Sequence, residues 1–161
     1  MIKVLFVCLG NICRSPMAEG LFIHLIGERG LADRFEIDSC GTSGWHVGEA
    51  ADSRMRQTAA AHGVHLPSRS RQIRHSDFRR FDYIIPMDEH NLRDLAEIQA
   101  GVEGAKAELV KMRHFDPQDL DGNVPDPYYG GQRGFEDVYE MLLRANENFI
   151  DYLVEKHQLA V

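Results

Sequence analysis

The sequence predicts an α/β fold, a three-layer sandwich in which helices cover both faces of a four-stranded, parallel, twisted sheet. Three observations carry that expectation. Apolar runs alternate with stretches of helical periodicity, the pattern of a parallel sheet wrapped by its own right-handed crossovers. The first run, Ile2 to Val7, is a continuous β-branched and aromatic stretch, as expected of a strand covered on both faces. No repeat, low-complexity tract or Pro/Gly/Ser linker interrupts the 161 residues. A single domain spanning residues 1–161 is therefore expected, long enough to bury a core.

The elements follow in order. After the first strand, a helix is predicted from Pro16 to about Glu28, with Ser15 at its N-cap and Pro16 in the first helical position. Ala18, Leu21, Phe22, Leu25 and Ile26 share one face of it. FEIDSC reads as the second strand, and the Gly-rich GTSGWHVG after it as a long loop. Asp52 to His62 is helical, with Gly63 in the usual stop position. FDYIIPM is the third strand, and Asp88 caps a helix running through Glu97. KAELVKM is a fourth, weaker strand. A long irregular stretch then precedes a closing helix from Phe135 to about His157. In such folds ligands sit at the carboxyl ends of the strands.

The totals narrow the function. Hydrophobic residues at 43% and charged residues at 27% are ordinary for a soluble globular protein. No apolar stretch approaches the roughly 20 residues that cross a bilayer, so no membrane association is expected. The opening MIKVLFVCLG has a single Lys3 and no small-residue cleavage site, and reads as a buried strand rather than a signal peptide. A net charge of −7 argues against a nucleic-acid partner. Three cysteines are too few for a disulfide scaffold and suit a reducing, cytoplasmic setting. His62 and His65 lie three apart, but nothing completes a zinc pattern. No metal and no cofactor are expected.

The chemistry is concentrated in CLGNICRSP. Cys8 ends the first strand and faces a loop leading into a helix N-terminus, where unpaired N–H groups and the helix dipole favour anions. A thiol in that field loses its proton more readily, which predicts a thiolate at Cys8. Gly10 and Asn11 are the residue types that most readily take positive φ, and such a loop turns successive N–H groups inward as an anion nest. Arg14 adds a planar fork matched to two phosphate oxygens. Ser15 can cap the helix and donate to the Cys8 sulfur. The assembly is a cradle for a tetrahedral dianion with a nucleophile at its floor.

An ester leaving group also needs an acid. PDPYYGG supplies Asp126 between two prolines, which hold its carboxylate in a defined direction. Burial against Tyr128 and Tyr129 is expected to raise its proton affinity.

CLGNICRSP near one end and DPYYG near the other resemble the low-molecular-weight protein tyrosine phosphatases. DSCGTSGW, the ARQI-like SRQI, and FDYIIPMDEHNLRDL resemble family segments too, so the likeness covers essentially the whole chain. It implies a metal-free, two-step hydrolysis of phosphotyrosine in protein substrates, and of small aryl phosphates. Cys8 would form a phosphocysteine, while Arg14 and the amides of Leu9, Gly10, Asn11, Ile12 and Cys13 hold the phosphate oxygens. Asp126 would protonate the leaving phenol and then assist water. Ser15 would stabilise the thiolate, and Asn11 would hold the loop with Ser39 as its partner. Trp45 and Tyr128 would form a slot for the substrate ring, with Tyr129 beside it. Cys13 matches a second loop cysteine, implying a reversible Cys8–Cys13 disulfide. Cys40 is a buried small residue. The likeness also implies weak self-association.

There are departures. Some members carry a His that ties down the phosphate loop where this chain has Ser68, and His46 stands after Trp45 where others have different polar groups. Three other readings remain. An arsenate reductase on this fold would relay through mid-chain cysteines, and residues 70–110 contain none. A protein arginine phosphatase typically carries Thr where this loop has Ile12. A non-catalytic phosphotyrosine-binding module could dispense with Cys8 or Asp126, and both are present.

Overall fold

The computed structural model describes residues 1–160, and of Tyr129 the backbone alone. Strands β1 (Ile2–Cys8), β2 (Phe35–Gly41), β3 (Tyr83–Pro86) and β4 (Glu108–Leu109) form one sheet in the order β2-β1-β3-β4, each neighbouring pair parallel. Five α-helices accompany it among the described residues: α1 (Arg14–Glu28), α2 (Ser53–Ala61), α3 (His75–Arg80), α4 (Glu89–Ala100) and α5 (Gly131–Lys156). No helix among the described residues is long and apolar enough to cross a membrane.

The continuous apolar character of β1 has a direct structural cause. Successive side chains point to opposite faces of the sheet. Val4, Phe6 and Cys8 pack with Phe22 of α1, Met55 of α2 and Phe149 of α5. Leu5 and Val7 pack on the other face with Phe78 of α3 and Leu95 of α4. Phe22 stands at the centre of the larger core, its ring 5.8 Å from Phe6, 5.2 Å from Phe35 and 5.7 Å from Phe149. Truncating such a residue to Ala costs about 3–5 kcal/mol.

Several boundaries differ from expectation. Helix α1 begins at Arg14, with Cys13 flanking it and no side-chain cap. Ser15 therefore lies inside the first turn and is not the N-cap, because its hydroxyl is engaged with the loop before it. Helix α3 was not expected: six residues are too few to show a period, and it is nucleated when Asp77 reaches back to the Arg74 amide at 2.8 Å. Strand β4 keeps only two residues of KAELVKM, since the chain turns into a 3-10 helix at Met112. Helix α4 extends to Ala100, and α5 starts at Gly131 rather than Phe135.

Two features of the fold position the site. Strand β1 lies between β2 and β3, so the crossover from β1 to β2 and the next one, from β2 to β3, run in opposite directions across the sheet and a crevice opens at the carboxyl end of β1. Cys8 is the residue there. The second feature is the excursion between β4 and α5. Asp116, shut off from solvent, pins it by accepting from Arg113 Nε (3.0 Å), Arg144 Nε (2.8 Å) and the Gln118 amide (3.0 Å). The Val124 amide then donates to Met87 O at 2.8 Å. That bond delivers Asp126 to the mouth of the crevice.

Candidate active site

Between β1 and α1 the chain loops through residues 9–13, and its carbonyls explain its shape. Cys8 O accepts from the Thr42 amide (2.9 Å), Leu9 O from the Ser43 amide (3.0 Å), Ile12 O from the Asp52 amide (2.8 Å) and Cys13 O from the Met17 amide (3.2 Å). Gly10 O accepts from Ser70 Oγ at 3.0 Å. In a planar trans peptide the following N–H points the opposite way. Carbonyls turned outward thus turn the amides of Leu9, Gly10, Asn11, Cys13 and Arg14 inward, toward one centre. Converging amides at a helix N-terminus form an anion cradle.

Cys8 lies at its floor, 3% exposed, its Sγ 3.0 Å from Ser15 Oγ. Asn11 is the hub beside it. It adopts φ 55°, which costs a non-glycine residue unless its surroundings compensate. Its Nδ2 donates to Ser15 Oγ (2.8 Å) and Ser39 Oγ (3.0 Å), and its Oδ1 accepts from the Arg71 amide (3.1 Å). Ser39 in turn donates to Glu19 Oε1 at 2.6 Å. Burial pushes the Glu19 carboxyl above its ordinary range, against hydrogen bonds from Ser39 and Ser68 that favour its charge.

Arg14 is 3% exposed. Burial opposes its charge, but the field of Cys8 and the hydrogen bond to Asp88 outweigh it and hold the guanidinium above its ordinary range. NH1 donates to Asp88 Oδ2 (2.7 Å) and Val124 O (3.1 Å), which fixes the plane of the fork. NH2 faces Asp126 Oδ2 across 3.8 Å. Asp126 Oδ1 accepts from the Tyr128 amide at 3.0 Å, so the second oxygen is the one aimed inward. These groups bound a cavity of about 180 Å³, walled by Leu9, Ile12, Trp45, His46 and Tyr128 and floored by Cys8 and Cys13. Arg54, held by Asp52 (3.0 Å), stacks over the Tyr128 ring at 5.2 Å.

One cavity therefore brings together Cys8, Leu9, Gly10, Ile12, Cys13, Arg14, Asp126, Trp45 and Tyr128, while Asn11 and Ser15 do not line it and support the loop from within the protein. The side chain of Tyr129 lies outside the described residues. Two expectations are corrected. Asp126 is not buried by the tyrosines: its side chain is 41% exposed. Gly10 does not share the positive φ of Asn11; its missing Cβ serves close packing, since one built there would meet His46 Cδ2 at 3.0 Å. Cys13 is buried, and its thiol is pushed well above the ordinary range by burial, Asp52 and Cys8. Cys40 is also buried. His62 and His65 gather no ligand set: among the described residues no group of three His, Cys, Asp or Glu could hold a metal, and His62 instead pairs with Glu136 and stacks on Tyr139.

Sequence reasoning missed Asp88, Gly41 and Ser70. Asp88 was expected only as a helix cap, and it does cap, accepting from the Asn91 amide at 2.7 Å. Its other oxygen orients Arg14, a role no local pattern signals. At Gly41 a Cβ would lie 2.6 Å from Leu9 O, so only glycine lets β2 pass this close to the loop.

A parallel α/β sandwich whose central strand ends on a cysteine within an amide-lined cradle has the architecture of a phosphotyrosine phosphatase. The chain belongs to the low molecular weight phosphotyrosine protein phosphatase family, whose model matches residues 3–159. It is 43% identical over 150 residues to the low molecular weight phosphotyrosine protein phosphatase of Schizosaccharomyces pombe, covering 92% of this chain and 95% of that protein. Identity to the rat protein of the same name is 44% over 149 residues, covering 92% and 94%. Among solved structures, a protein tyrosine phosphatase of Entamoeba histolytica superposes with a TM-score of 0.90 at 42% identity, covering 99% of this chain and 100% of that one. A Drosophila arginine phosphatase superposes with a TM-score of 0.88 at 35% identity, covering 94% and 98%.

Proposed function

We propose that the protein hydrolyses phosphotyrosine in protein substrates through a phosphocysteine, without a metal ion. The observation that carries the reading is the pairing of Cys8 with Ser15 at the floor of a cavity whose mouth presents Asp126 beside Arg14. In the first step a Cys8 Sγ lone pair attacks phosphorus and the bond to the phenolic oxygen breaks. Asp126 gives that oxygen its proton, releasing tyrosine. In the second step water attacks phosphorus and passes a proton to the Asp126 carboxylate. The S–P bond breaks, returning the Cys8 thiolate and free phosphate.

Arg14 and the converging amides stabilise the charge on the three equatorial oxygens through both steps. They supply the positive field that a metal would otherwise provide. Trp45 and Tyr128 both line the cavity, and a phenyl ring seated between them would cover Asp126. The apolar Ile12 in the cavity wall favours a phenol ester over phosphoarginine.

Hydrolysis of phosphotyrosine, phosphoserine and phosphoarginine peptides, each with EDTA, tests the reading in wild type and Cys8→Ser. Rapid phosphotyrosine turnover that survives EDTA and disappears in Cys8→Ser is the expected result. Turnover of phosphoarginine alone would transfer the assignment to that substrate. Inertness toward all three would leave an anion-binding module.

A further inference from the structure

We propose that Ser70 is a positioning residue that aims the Asn11 amide into the phosphate cradle, a role that rests on the phosphatase reading above. The five outward carbonyls are not held alike. Those of Cys8, Leu9, Ile12 and Cys13 each accept from a backbone amide, which no substitution other than proline deletes. Gly10 O accepts from a side chain, Ser70 Oγ, at 3.0 Å, and among the described residues this is its hydrogen-bond donor. The Gly10–Asn11 peptide plane therefore depends on one hydroxyl. Asn11, on the far side of that plane, is the loop residue at φ 55°.

Ser70 is built to hold that hydroxyl still. It is 4% exposed. Its amide donates to Glu49 O (2.8 Å) and its carbonyl accepts from the Gly48 amide (2.8 Å), clamping it to the loop that carries Trp45 and His46. The next residue anchors the segment from the other side. Arg71 O accepts from the Gly41 amide (2.8 Å), and the Arg71 guanidinium joins Asp77 (3.0 Å) and Asp38. Above Gly10 the His46 ring closes the remaining space.

Without the hydroxyl, Gly10 O is left without a partner in a half-buried loop and the plane is free to rotate toward another donor. Rotation takes the Asn11 N–H out of the cradle. Inorganic phosphate, titrated calorimetrically, reads the cradle without any turnover. Ser70→Ala is expected to weaken phosphate binding roughly tenfold and to lower kcat/KM for a phosphotyrosine peptide by a similar factor. The comparison is Ser43→Ala, which also removes a hydroxyl bound to a loop carbonyl, Leu9 O at 3.1 Å, but leaves the backbone donor there. It is expected to cost less than about threefold.

Ser70→Thr, which keeps the donor, should restore phosphate affinity to within about threefold of wild type. If Ser70→Ala does not fold, Ser70→Cys is read in its place. Equal losses in Ser70→Ala and Ser43→Ala would overturn the proposal. So would a lowered Tm with phosphate affinity unchanged, or a Thr variant as weak as the Ala variant. A wild type that binds phosphate but leaves phosphotyrosine intact would sink the phosphatase reading and still allow the Ser70 comparison.

Discussion

Asn11 Nδ2 donates to Ser15 Oγ at 2.8 Å, which occupies one lone pair of that hydroxyl and leaves its proton to be shared between Cys8 Sγ, 3.0 Å away, and a backbone carbonyl. The alternative acceptor, Cys40 O, stands at 3.4 Å. When Cys8 is a thiolate its sulfur can only accept, and the Ser15 proton turns to it.

That direction matters most when sulfur is the leaving group. Ser15→Ala removes a hydrogen bond to a charged sulfur, worth roughly 1.5–3 kcal/mol, or at least tenfold in rate. The loss should fall on the second step. Stopped-flow measurement with an aryl phosphate is expected to show a burst of phenol followed by a slow steady state, with kcat and KM both lowered. A variant that slows without any burst would place the function of Ser15 in the first step.

Asp126 is predicted to matter in proportion to the basicity of the leaving group. Asp126→Asn keeps the acceptor for the Tyr128 amide and removes the transferable proton. Turnover of phosphotyrosine should fall about 10²–10⁴-fold. An aryl phosphate with a strongly acidic phenol needs little protonation and should lose far less. Equal losses across a series of phenols of graded acidity would show that Asp126 is not the acid.

The fold was legible where one segment carries its own pattern. Ile2 to Val7 announces a doubly covered strand, and Leu21, Phe22, Leu25 and Ile26 announce the face of α1. The floor of the site was legible for the same reason, since Cys8, Asn11, Arg14 and Ser15 sit within eight consecutive positions. What escaped depends on distant segments meeting. Asp88 reaches Arg14 across 74 positions, and Ser70 reaches Gly10 across 60. The exposure of Asp126 escaped as well, because proline-flanked rigidity fixes direction and says nothing about what covers a side chain. Helix α3 was too short to show a period.

Asp116 is expected to make stability depend on acid. Burial raises its proton affinity, but hydrogen bonds from Arg144 and the Gln118 amide, with the charges of Arg144 and Arg113, outweigh burial and hold the carboxyl below its ordinary range. A depressed folded pKa contributes stability that is present above the unfolded value, near 3.9. It is lost as pH falls through the folded value. Asp116→Asn should therefore destabilise by about 3 kcal/mol at neutral pH, leaving two arginines without their carboxylate. The deficit relative to wild type should shrink as pH falls below about 4. Urea denaturation of both proteins across that range checks it, and a deficit independent of pH would refute the charge argument.

Oxidation should separate Cys8 from Cys13. Both thiols are free and buried at the floor of one cavity, and Cys13 is held in its protonated form by burial and by the fields of Asp52 and Cys8. Hydrogen peroxide should therefore react at Cys8, whose thiolate breaks the O–O bond to give a sulfenic acid and releases hydroxide. The Cys13 sulfur, surrendering its proton, then attacks the oxidised sulfur and expels water, closing a disulfide. Peroxide-treated wild type should regain activity with dithiothreitol. In Cys13→Ser the sulfenic acid has no neighbour to trap it, so a second peroxide carries it to sulfinic acid and the loss becomes permanent. Bound inorganic phosphate should slow inactivation of both proteins by covering Cys8. Mass spectrometry after peroxide should find two hydrogens lost from wild type and two oxygens gained by the variant. Full recovery of Cys13→Ser under the same treatment would remove Cys13 from this role.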